Sequence, residues 1–391
     1  MGVTRSRAAV SLAATLLVAA CSSGPTTMSG SRPSTPAGHG DTPADTAPAR
    51  SVPLRDGERF QDVTMPSPYT PDAPTHGTDD YRCFLLDPGL EDRAFVTGVD
   101  VLPGSPDVVH HVILFRVPPA QVPEAEAVDT ETEGQGWTCF GGSGLGALAG
   151  DLGDTPWLGA WAPGGGERVM APDIGIPMSP GSRIVMQVHY NLLAGDAPDV
   201  SSARIRWAEG DKDLVPLRTM LLPAPVELPC RPGRAGELCD REAAIADVVG
   251  RFGQASGQQV AGLQLLCGVG TFRPGPTQSC TRPVLERVEV RAVGGHMHLL
   301  GRSIAVVANP GRRDERTLLD VPVWNFDDQG TVALRKPARL GPGDSLEVTC
   351  THDQRLRDLV PELQGVPERY VVWGEGTTDE MCLGIVLVTR P

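Results

Sequence analysis

Short β-branched, apolar runs separated by proline–glycine turns dominate the chain from about residue 81 onward. Val108–Phe115 (VVHHVILF) and Ile184–Leu192 follow the turn signals Pro103-Gly104-Ser105-Pro106 and Pro180-Gly181-Ser182, and each predicts a buried strand. Further strands are predicted at Val284–Val293, Ser303–Val307, Ser345–Thr351, Tyr370–Trp373 and Leu383–Val388. Pro180–Met186 and Pro342–Val348 echo each other, each a proline–glycine turn that launches a strand. One stretch has the helical period instead: Asp240–Gln254 places Ile245, Val248, Val249 and Phe252 on one face. The pattern predicts an all-β protein of sandwich type with a short helical insertion at about 230–280.

The N-terminus is different. Arg5 and Arg7 precede an apolar run, Ala8–Ala20, too short for a permanent membrane span and suited to a secretory signal over residues 1–20. It ends in Val18-Ala19-Ala20-Cys21, which resembles a bacterial lipobox and implies acylation of Cys21. Residues 21–77 are rich in Ser, Thr, Pro, Gly and Ala and predict a disordered tether. The expected location is the cell envelope, with the protein lipid-anchored to a bacterial membrane on its extracytoplasmic side.

Composition narrows the picture. With 34 basic and 48 acidic residues the net charge is −14, which excludes a basic nucleic-acid-binding face. Gly and Pro make up about a fifth of the 391 residues, against an all-helical fold. Of nine cysteines, eight remain after Cys21, an even number suited to four disulfides in an oxidising compartment.

Five of the eight histidines fall in three strand contexts: His110-His111, His189, and His296-Met297-His298. Strand residues two apart share a face, so His296 and His298 form a natural chelating pair. Neighbours such as His110 and His111 point to opposite faces and reach one metal only where the strand twists or ends, or through different ring nitrogens. With His189 they make a plausible three-imidazole site for copper or zinc.

At this point a family resemblance emerges. Tyr81–Phe115, Trp157–Pro163 (WLGAWAP), Gln187-Val188-His189-Tyr190, His296–Gly301 (HMHLLG) and Gly376–Cys382 (GTTDEMC) follow in order. Together they resemble the copper type II, ascorbate-dependent monooxygenases, the family of peptidylglycine α-hydroxylating monooxygenase and dopamine β-hydroxylase. The resemblance implies two antiparallel jelly-roll β-sandwiches, here 78–215 and 216–391, each holding one copper, with a solvent-filled cleft between the metals. It implies His110, His111 and His189 at one copper, and His296, His298 and Met381 at the other, where dioxygen reacts. It also implies disulfides Cys83–Cys139 and Cys350–Cys382. The pairing of Cys230, Cys239, Cys267 and Cys280 stays open, with neighbours joined as the simplest assignment.

The implied reaction is hydroxylation of a C–H bond in a small organic substrate, using O2 and an ascorbate-like reductant, by a monomer. The arginine that grips the peptide carboxylate in amidating members is matched by Gly294, and a helpful tyrosine by Ile385, so a peptidylglycine substrate is not expected. Two alternatives stand beside this reading: a non-catalytic copper-binding lipoprotein, and a zinc hydrolase with Glu380 as its base.

Overall fold

A computed structural model describes residues 52–73, 77–146, 152–193, 195–268 and 273–391. The expected signal segment, Cys21, His39 and His76 lie outside them. The chain is all-β, with two antiparallel sandwiches and a small helical insertion. In the N-terminal sandwich, strands Asp79–Leu86, Val109–Val117, Trp157–Trp161 and Arg183–Asn191 form one sheet with Trp137–Thr138 at its edge. Strands Glu58–Thr64, Ala94–Leu102, Ile174–Met178 and Ser202–Glu209 lie in the facing sheet. Phe84, Val112, Leu114 and Met186 of the first pack with Val96, Val99, Ile205 and Trp207 of the second in one buried cluster.

The C-terminal sandwich repeats the plan. Val215–Pro223, Leu383–Thr389, Val288–His296 and Thr331–Leu340 form one sheet. Thr277–Pro283, Ser345–His352, Gly301–Ala308 and Arg316–Val321 form the other. Val290, Val293, Val386 and Val388 bury against Ile304, Val306, Leu346 and Val348. A short parallel pairing of Ile174–Gly175 with Val215–Pro216 joins the two halves into one nine-stranded sheet. The echoing turns are alike in conformation, since Gly181 and Gly343 both adopt positive φ, 73° and 101°.

Part of the expected tether is ordered structure instead. Glu58–Thr64 is an edge strand paired antiparallel to Ser202–Glu209. Val63, Met65 and Tyr69 are buried, and Glu58 pairs with the fully buried Arg206 at 2.9 Å. An edge strand that fully buries one residue, Val63, needs few apolar side chains, so its composition resembles a linker.

The insertion comprises helices Arg241–Phe252 and Gln254–Gly268. Asp240 caps the first by accepting from the Ala243 N–H at 2.9 Å, and Gly253, at φ 82°, ends it. Ala244, Val248 and Phe252 are buried, with Ile245 packed against the core. The second helix lies beyond the sequence expectation, because its polar and apolar residues alternate without a clear face.

Four disulfides staple the fold: Cys83–Cys139, Cys230–Cys239, Cys267–Cys280 and Cys350–Cys382. The middle two bracket the helices. Cys83–Cys139 spans 56 residues. Replacing both its cysteines with alanine should lower unfolding free energy by about 4 kcal/mol in the chain-entropy model, read by denaturant titration. An unchanged midpoint would contradict this.

Candidate metal centres

The first cluster rests on a β-bulge. Val109 pairs with Tyr190 and His111 with His189, so two residues on one strand span one step on the other. The bulge turns both His110 and His111 toward His189, which plain strand alternation forbids. His189 Nδ1 lies 3.0 Å from His110 Nδ1 and 3.3 Å from His111 Nδ1. Its Nε2–H donates to Asp79 Oδ1 at 2.9 Å, which frees Nδ1 as a lone-pair donor. A single proton can bridge only one of these nitrogen pairs. One cation about 2.0–2.1 Å from each nitrogen satisfies all three, so the residues fit a metal ion.

The second cluster forms where a ladder ends. His296 is the last residue of its strand and pairs with Leu383. His298 lies in the following turn, not on the strand, so strand periodicity is not what joins the two imidazoles. Beyond Leu383 the backbone N–H groups of His298 and Leu300 have no ladder partner. The Glu380 carboxylate accepts both, His298 at 3.1 Å. The two rings end with centroids 5.1 Å apart at 80°. His296 Nδ1 meets Gln329 Oε1 at 2.6 Å and His298 Nδ1 meets the Asp379 carbonyl at 3.3 Å. Each contact leaves Nε2 available, and His298 Nε2 is buried without a hydrogen-bond partner.

Met381 directly follows Asp379 and Glu380, the two residues that hold His298, and precedes Leu383 by two. It is buried, beside the Cys350–Cys382 crosslink. Its thioether thus lies one residue from the Glu380 carboxylate that holds the His298 backbone.

The clusters abut. His111 and His296 lie ring to ring with centroids 5.9 Å apart. The expected open cleft is therefore absent between these rings. The cause is a set of cross-sandwich contacts. Phe326 stacks on His110 at 4.8 Å, and Arg168 donates to the Gln329 carbonyl at 3.0 Å. The Tyr81 hydroxyl donates to the Glu375 carbonyl at 2.7 Å, while its ring stacks on His189 at 4.0 Å. Thr377 donates from its backbone N–H and its hydroxyl to Asp79 Oδ1, at 2.9 and 2.6 Å.

Sequence reasoning missed Asp79, Phe326, Gln329, Thr377 and His352. Asp79 carries a weak signal as a carboxylate opening an apolar strand. Gln329 sits in a polar loop and carries none. His352 is buried, 3.4 Å from Glu380 Oε2.

Burial sets the electrostatics. Desolvation and neighbouring imidazoles hold His110 and His111 well below the usual histidine range. Burial, then His298, pushes His296 down to about 3. Burial alone would raise the Asp79 carboxyl, but hydrogen bonds from His189 and Thr377 hold it well below the usual range. His110, His111 and His296 are thus neutral and ready to ligate at neutral pH.

The sequence matches no protein-family model and no curated protein. Solved structures similar to this chain include an allantoicase (10% identity, 82% of this chain and 90% of that one, TM-score 0.18). They also include the infectious bursal disease virus VP2 subviral particle (8%, 88% and 74%, TM-score 0.17). A third is procruciferin, an 11S globulin of Brassica napus (11%, 80% and 76%, TM-score 0.14).

Above about pH 6.5 the His110, His111 and His296 imidazoles are neutral in both folded and unfolded chains. Below it the unfolded chain takes up protons that His296 refuses until about pH 3. Stability of the metal-free protein should therefore fall as pH drops through this window. Its melting temperature is expected to decline by several degrees between about pH 7.5 and 5; a flat profile would contradict the assigned burial.

Proposed function

We propose that this chain is a copper-dependent monooxygenase that hydroxylates a C–H bond of a small organic substrate with O2 and an ascorbate-like reductant. One observation carries the reading: two imidazole clusters, His110/His111/His189 and His296/His298, meet at the His111–His296 contact, with Met381 next to the residues that hold His298. A purely structural role leaves five clustered histidines and two buried, unpartnered imidazole nitrogens, His110 Nε2 and His298 Nε2, without purpose. His110, His111 and His189 would hold one copper, and His296, His298 and Met381 the other. Bound copper supplies one-electron redox chemistry, so that two ions together deliver the electrons that dioxygen needs.

The chain's own part is to orient and to exclude water. Asp79 fixes the His189 tautomer, and Gln329 and the Asp379 carbonyl fix those of His296 and His298. Phe326 and Tyr81 cover the imidazoles from either side. A Cβ at Gly294 would lie 2.8 Å from Thr331 Cγ2, so an arginine does not fit there. That supports a substrate other than a carboxylate-anchored peptide. The zinc-hydrolase reading is disfavoured because both Glu380 oxygens are taken by backbone N–H groups. Four disulfides support an extracytoplasmic location, with the lipid on Cys21 as its anchor.

Reductant-driven oxygen uptake against a panel of small metabolites tests the proposal. His298→Ala and Met381→Ala should abolish product formation in a chain that still folds, and His189→Ala should uncouple electron delivery. Full turnover by the Met381 variant would refute its role. Two bound coppers with no turnover on any substrate would favour the non-catalytic copper protein.

A further inference from the structure

The helical insertion reaches both clusters through intermediaries that start from one turn of its first helix. Arg251 donates to Asp379 through both terminal nitrogens, at 2.8 Å (Nη1 to Oδ2) and 2.6 Å (Nη2 to Oδ1). Its Nε–H is held by Asp247 at 2.9 Å, one helical turn earlier, and Asp247 also pairs with Arg369 at 2.6 Å. Asp379 is 2% exposed and does two further things. Its Oδ2 accepts the Gly376 N–H at 3.1 Å, closing the turn before Met381. Its carbonyl receives His298 Nδ1. The bidentate fork thus fixes the residue that fixes the ligand. A Cβ at Gly376 would lie 2.9 Å from both Arg251 Nη1 and Asp379 Oδ2, so glycine is what lets the guanidinium come this close.

The next residue reaches the other cluster. Phe252 meets Phe140 edge-on at 5.1 Å, Phe140 meets Tyr81 edge-on at 5.7 Å, and Tyr81 stacks on His189. Arg251 and Phe252, adjacent on one helix, therefore buttress His298 and His189 from a single rigid element.

We infer that the disulfide-bracketed insertion is a strut whose Arg251 is a positioning residue for the His296/His298/Met381 centre, setting the His298 tautomer through Asp379. The inference rests on the ligand assignment above for its copper readout, and on the polypeptide alone for its second readout. That second readout is long-range 1H–15N NMR of the metal-free full chain. The wild type should show His298 in one tautomer, protonated at Nδ1, and Arg251→Met a mixture. In copper(I) competition titrations the sulfur-containing centre of Arg251→Met should weaken about 10- to 100-fold while the three-histidine centre holds. Arg251→Lys should recover part of the loss.

Asp247→Asn loosens Arg251 without unpairing Asp379, and covers the case in which Arg251→Met does not fold. It should shift both readouts in the same direction by less. A single His298 tautomer and wild-type copper affinities in these variants would overturn the inference. A tautomer change in a chain that binds no copper would instead sink the functional reading and leave the strut standing.

Discussion

One buried carboxylate oxygen, Asp79 Oδ1, accepts from His189 Nε2 and from the backbone and hydroxyl of Thr377. The first contact sets the tautomer of His189 in the N-terminal sandwich. The other two anchor the Gly374–Met381 loop, which carries the thioether and the supports of His298. A charge so deeply buried is tolerable only with several donors, and here the donors come from both halves of the molecule. The geometry of each cluster therefore depends on the other. Removing either sandwich would leave this carboxylate underpartnered.

The rest of the scaffold serves this joint. The bulge at His110 brings a third imidazole onto the inner side of the sheet, and the end of the Leu383–His296 pairing releases the backbone that carries His298. Both are irregularities, and both sit where regular strand geometry could not assemble the nitrogens. The Cys350–Cys382 crosslink fixes the residue beside Met381, and the insertion braces Asp379 from behind. Precision at the clusters thus comes from ordinary sandwich cores with a few covalent and ionic ties at the site.

Much of this was legible in the sequence, for identifiable reasons. Val109–Val117, Arg183–Asn191 and Leu383–Thr389 are apolar enough to announce themselves as strands. Asp240 and Gly253 bound the first insertion helix as cap and stop. Glu58–Thr64 was hidden because an edge strand needs few apolar residues. The bulge was hidden because it depends on a register that only pairing defines. Asp79 and Thr377 are 298 residues apart, and nothing local to either marks the contact. The abutment of the clusters follows from packing between sandwiches, which strand patterns do not encode.

Anomalous diffraction at the copper edge from copper-loaded crystals measures the central claim most directly. Two metal positions on either side of the His111–His296 contact are predicted, one bounded by the Nδ1 atoms of His110, His111 and His189 and one by His296, His298 and Met381. A single position, or copper bound elsewhere with these side chains unoccupied, would contradict the account.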